Sequence, residues 1–349
     1  MASHVILLTR KQSSIATQRE PPGDKPVASS ETLGQKQTPA VDRTNPHEAN
    51  ITRPDHSVKH ILLVSVRLIA LTLLYFVCFT VVSGALLSGA SEPAEPAQAS
   101  AALLALFLVS LINTAVLAYI TLRSRWGGWK LVVAMFVVLF GAVTVMSQIE
   151  TAFFVTHLPP GMLPRLFLAG ALMAAVFSPL VVLLLGRRRV QVTENREHSR
   201  LQMPVSTWIA KLSLIVIAYE LIYFTFGYFI AWRSPAVRSY YGGSDPGSFL
   251  TQIISVVRDM PSLLLLQAVR ALMWTGLAVL IIKMMKGAWW ESGLAVALVF
   301  GVLMTSQLLL PNPLMPHEVR MVHLLETATS NFFFGWLVVL VLLSGAFKK

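Results

Sequence analysis

Residues 131–154 read LVVAMFVVLFGAVTVMSQIETAFF, and no charged residue interrupts the run before Glu150. Wound as an α-helix at 1.5 Å per residue, the run is about 36 Å long, enough to cross a hydrocarbon core of about 30 Å. A backbone in lipid must satisfy its own hydrogen bonds, so an apolar run of this length is read as a helix. Its two ends differ. Arg123, Arg125 and Lys130 precede it, with Trp126 and Trp129 beside them, whereas residues 156–164 hold neither Lys nor Arg.

Seven further runs of this kind follow outward from it, at 61–87, 101–122, 166–185, 205–231, 262–282, 294–310 and 331–347. The fold class expected is therefore all-α, a polytopic transmembrane bundle of about eight helices. Composition agrees. Of 349 residues, 55% are hydrophobic and 13% charged, against about 25% charged in a soluble domain, and the mean hydropathy is +0.65.

Loop charge sets the orientation expected. The 123–130 turn, the Arg187-Arg188-Arg189 to Lys211 stretch, the Lys283/Lys286 turn and the Lys348-Lys349 end are basic. The alternate loops are acidic, neutral or mixed, so the positive-inside rule puts both termini in the cytoplasm. The net charge of +11 thereby finds its partner in anionic lipid, and no nucleic acid is expected. The membrane expected is a bacterial inner (plasma) membrane.

Four regions result: a polar tail at 1–58, a first transmembrane half at 59–190, a basic loop at 191–204 and a second half at 205–349. The tail lacks the apolar surface to offset the entropy of ordering and is expected to be disordered. Its apolar patch, 5–8, is too short for a signal peptide, and the Asn50-Ile-Thr52 acceptor triplet falls on the cytoplasmic side. The single cysteine, Cys78, excludes an intrachain disulfide or a thiolate metal cluster.

The halves resemble each other. Residues 114–129 align without a gap on 275–290; Phe140-Gly141 then falls on Phe300-Gly301, Ser147-Gln148 on Ser306-Gln307, and Leu166-Phe167 with Gly170 on Asn331-Phe332 with Gly335. Four helices per half would make this a 4+4 parallel repeat about the membrane normal. Chance likeness among apolar helices is the competing explanation.

Ionisable groups inside spans are costly and mark candidate sites. Glu220 and Arg270 each lie about 13 Å from a membrane face by helical rise, so they are expected to pair near the midplane, with Gln267 on the Arg270 face. The pair would lock two helices or act as a gate. Gln148, Glu150, Ser306, Gln307, His323, Glu326, Ser330 and Asn331 form an expected polar pocket near the outer face. His323 and Glu326 are expected to stand outside the last span. Glu150, His157, His323 and Glu326 could in principle ligate a metal, but polar residues near a helix end are more often simply hydrated, and no metal or cofactor is expected. Arg67 is expected to snorkel to the inner face. Residues 240–247, YYGGSDPG, are either a lid over the pocket or a plain outer loop. No HExxH, GxSxG or Walker pattern occurs.

Three roles fit this pattern. The first is a small-molecule or ion transporter. The second is a membrane-embedded enzyme acting on a lipid or lipid-linked substrate at the outer leaflet. The third is an accessory subunit of a membrane complex.

Overall fold

The computed structural model describes residues 55–87, 96–155, 158–188, 201–312 and 315–345. The tail through residue 54, most of the basic 191–204 loop and His157 lie outside the described residues. Among the described residues eight helices are long and apolar enough to cross a membrane: α1 (Ile61–Leu87), α2 (Ala99–Arg123), α3 (Gly128–Phe154), α4 (Met162–Leu184), α5 (Val205–Ala231), α8 (Pro261–Met284), α9 (Trp289–Leu309) and α10 (His317–Leu343). Two short helices, α6 (Pro235–Tyr241) and α7 (Phe249–Asp259), fill the loop between α5 and α8. The chain is an all-helical, multi-pass integral membrane protein. Among the described residues no β-strand forms.

One boundary departs from expectation. The last span begins at His317 rather than at 331, so His323, Glu326 and Ser330 stand inside the bundle. Pro316 supplies the entry φ, and Glu318 in the first turn suits the positive helix end. The polar residues share one inward face, at spacings of three and four. A hydropathy reading penalises them even though Glu326 and Ser330 are buried within the protein.

Packing places α9 at the centre and α1 at the rim, with 67% and 17% of their spanning windows buried. Within the first half α1 packs on α2 and α4, and α3 on α4; within the second, α5 packs on α8 and α10, and α9 on α10. Between halves α2 meets α9, α8 meets α3, and α3 meets α9. The main apolar core runs through both halves, with Trp274 against Phe300 at 4.2 Å and Tyr219 against Phe334 at 4.6 Å between ring centroids. Lipid tails give helices no hydrophobic reason to associate, so close backbone approach matters. A Cβ on Gly335 would lie 2.7 Å from Ala297 Cα, and one on Gly170 would collide with the Thr144 side chain.

Three spans contain a π-helical turn, at Phe140–Val145, Gly227–Ala231 and Val299–Leu303. The first and third meet where α3 crosses α9. Each inserts a residue into the helical register, and the second closes α5.

The basic ends interlock. Ser124 and Met285 form an antiparallel bridge, with Arg125 N donating to Met284 O at 2.7 Å and Lys286 N to Arg123 O at 3.0 Å. Arg123 Nε donates to Glu291 Oε2 at 2.6 Å, Arg187 caps Ser124 O, and Lys130 sits 4.2 Å over the Trp126 ring. Burial lowers the pKa of Arg187, and burial followed by the Arg187 and Arg123 charges lowers that of Lys286. Lys211 is buried and donates to Leu342 O and Ser344 O at 2.8 and 3.0 Å, capping the end of α10. Arg67 reaches toward Gly186 at the end of α4.

Candidate functional site

Arg270 on α8 is 2% exposed and forms an ion pair with Glu150 on α3. The same Nη1 donates to Gln267 Oε1 at 2.8 Å, one turn away and fully buried. The guanidinium carbon lies 6.0 Å from the centre of the Tyr219 ring on α5. The expected Glu220 partnership is therefore corrected: Arg270 pairs with Glu150. Successive helical residues diverge by about 100°, so with Tyr219 turned to Arg270, Glu220 points elsewhere. Its Oε2 is buried and has no hydrogen-bond partner among the described residues.

Beside this pair, His323 Nδ1 contacts Glu326 Oε2 at 2.8 Å and its Nε2 contacts the Tyr241 hydroxyl at 3.3 Å. In the tautomer that donates Nδ1–H to Glu326, Nε2 accepts from the Tyr241 hydroxyl. Burial, and then the neighbouring Tyr240, Glu150 and Glu326, push the Tyr241 pKa far above its ordinary value, so this hydroxyl stays protonated. Glu150 lies close enough to His323 and Glu326 for their charges to interact. Tyr219, Tyr223 and Gly227 lie one turn apart on one face of α5, the face that Tyr219 turns to Arg270 and Gly227 to Glu326. Glu326 Oε1 lies beside Gly227, at ordinary contact distance from the position a side chain would take there.

Two donors in the cluster, Gln267 Nε2 and Arg270 Nε, are buried without an acceptor among the described residues. Buried polar groups are ordinarily bonded, and each unpaired one costs about 1–3 kcal/mol. The site thus combines one ion pair, a carboxylate–imidazole–phenol chain and unspent donor capacity.

The remaining outer polar residues separate from this site. Ser306 donates to Asn113 Oδ1 at 2.7 Å and Asn113 donates to the Tyr75 hydroxyl at 2.9 Å, a buried chain joining α9, α2 and α1. Ser330 donates to Thr327 O at 3.4 Å, and Asn331 contacts Met304 Sδ. Both serve packing. Gln148 and Gln307 line a cavity of about 90 Å³ with Tyr75, Phe79, Ser83 and Thr144. Gln148 Oε1 has no partner there among the described residues. The single outer pocket read from the sequence is thus two sites, one charged and one neutral.

Sequence reasoning missed Tyr75, Asn113, Tyr219 and Tyr223. Asn113, an amide inside an apolar run, carried a usable signal. Tyr219 and Tyr223 did not, since aromatic residues in spans are ordinary core. Among the described residues no group of three His, Cys, Asp or Glu side chains is arranged to hold a metal ion. No protein-family profile, curated protein or solved structure matches the chain.

Proposed function

We propose that the protein is a carrier for a small solute or ion, built from two like four-helix halves, with its charged site opening away from the cytoplasm. The observation that carries this reading is the buried Arg270–Glu150 pair. It joins the second half to the first and keeps unspent donors beside it. A solute bearing acceptor oxygens would satisfy Gln267 Nε2 and Arg270 Nε and would compete with Glu150 for the guanidinium.

The duplication is supported at several independent points. The Ser124–Met285 bridge joins residues that the sequence alignment makes equivalent, and its two hydrogen bonds interchange under that equivalence. The π turns of α3 and α9 fall at the aligned Phe-Gly pairs. Setting Ile61–Leu87 on Val205–Ala231 end to end matches Arg67 with Lys211, both of which reach the end of their half's last span. It also matches Tyr75, Phe79 and Ser83, which line the neutral cavity, with Tyr219, Tyr223 and Gly227, which line the charged site. Every helix packing within the first half has its counterpart in the second. A pseudo-two-fold axis along the membrane normal would then run through the Ser124–Met285 bridge. Rocking of one half against the other, around the site between them, is a route to alternating access.

With the basic ends cytoplasmic, the interlocked face is the inner one and the charged site is the outward one. A bacterial inner membrane remains the proposed location. A second reading has its own observation: the Glu326–His323–Tyr241 chain has the geometry of an oriented general base, as an enzyme working at the outer leaflet would need.

Sidedness separates the two. Thr327 shares the His323 face one turn further along α10. In a Cys78→Ala background, Thr327→Cys should react with a membrane-impermeant thiol reagent from both faces if the protein is a carrier. Reaction from the outer face alone would refute the carrier and leave the enzyme.

A further inference from the structure

α7 has three distinct faces. Phe249 packs inward on Tyr228 and Phe229, at 5.4 and 5.8 Å between ring centroids. Leu250, Ile254 and Val257 lie within about 60° of one another around the helix and are 65%, 57% and 50% exposed. Gln252, Ser255 and Asp259 occupy the opposite side, and Arg258, flanking the apolar stripe, forms an exposed ion pair with Asp259. No residue of α7 is buried. Three apolar side chains aligned on one face of an unburied helix have no stabilising contact if that face meets water.

The place of the helix says what covers them. Only Met260 separates α7 from Pro261, the first residue of α8. Met260 is itself 41% exposed, and the exposed stripe continues down α8 through Leu265, Val269 and Leu272, the surface that faces lipid tails. We infer that α7 is an interfacial helix lying in the outer lipid–water boundary, with Leu250, Ile254 and Val257 among the upper acyl chains and Arg258 and Asp259 at headgroup level. This is the arrangement of a monotopic amphipathic helix, here fused to a span. At its other end, Ser248 caps the first turn through Thr251 N at 3.2 Å, and Gly247 O accepts from the Tyr228 hydroxyl at 2.6 Å. The bilayer surface thereby anchors the segment that carries Tyr241.

A nitroxide scan of residues 250–259 tests this in the full-length Cys78→Ala protein, reconstituted in phosphatidylglycerol–phosphatidylethanolamine vesicles. Collision with oxygen should peak at 250, 254 and 257, and collision with an aqueous nickel chelate at 252, 255 and 259, the two in antiphase. Nickel access at all positions would overturn the inference. Dipolar broadening at 250, 254 and 257 that dilution with unlabelled protein removes would also overturn it, because a second copy would then cover the face. The exposed substitution Ile254→Asp should leave the fold intact but shift the neighbouring labels toward nickel access; an unchanged profile would count against insertion.

Discussion

Replacing Glu150 by Gln removes the charge that faces Arg270 while keeping the side-chain shape. At a charge separation of about 4 Å and an effective dielectric of about 20, the lost attraction is about 4 kcal/mol. Arg270 is 2% exposed and cannot recover water, but the Glu150 side chain is 25% exposed, so solvent already screens part of the pair. Breaking a buried pair from one side costs about 3–5 kcal/mol, and screening brings the expectation to about 2–3 kcal/mol, on the order of a hundredfold in the unfolding equilibrium. The assay is reversible unfolding in mixed micelles of Glu150→Gln, Arg270→Gln and the double variant, with Glu220→Gln as the parallel arm. Glu150 and Arg270 should couple by at least about 1 kcal/mol, and Glu220 and Arg270 by less than about 0.5 kcal/mol, the error of additivity for separate sites. Strong coupling of Arg270 to Glu220 and none to Glu150 would refute the placement of α3 against α8.

Other expectations are local. Lys211→Met leaves Leu342 O and Ser344 O without their donor and should cost about 2–3 kcal/mol, since bonds to charged groups contribute about 1.5–3 each before relaxation; hydrogen exchange in the last turn of α10 should rise first. Gly335→Val should force α10 off Ala297 and destabilise by about 1–3 kcal/mol, whereas Gly84→Ala, with nothing within 4 Å, should be neutral or stabilising by up to about 1 kcal/mol. Tyr241→Phe removes one bond to His323 at about 0.5–1.5 kcal/mol. It should leave the melting curve nearly unchanged while speeding outer-face labelling of Thr327→Cys.

Much of the bundle was legible because lipid imposes one rule on every span: long, apolar and helical. Reading failed where a helix turns polar residues inward. α10 was read as starting at residue 331, since His323, Glu326 and Ser330 lower hydropathy exactly as a loop would, and only packing tells the two apart. The partner of Arg270 was misread for a related reason. Depth can be counted along a helix, but azimuth depends on how α5 and α3 rotate against α8. The His323–Glu326 contact was legible because both residues lie on one helix at i, i+3. The aligned segments 114–129 and 275–290 were legible as sequence, whereas the bridge between them and the π turns of α3 and α9 follow from tertiary packing.

Cross-linking the inner latch tests the central claim most directly. Ser124 and Met285 oppose each other as a non-hydrogen-bonded antiparallel pair, for which a Cα separation of about 4.5 Å lies within disulfide range. In the Cys78→Ala, Thr327→Cys protein, oxidation of Ser124→Cys/Met285→Cys should abolish labelling of Thr327→Cys from the inner face, preserve labelling from the outer face, and reverse on reduction. Inner-face labelling that persists through complete cross-linking, or that never occurs before it, would contradict a carrier whose halves part at this bridge.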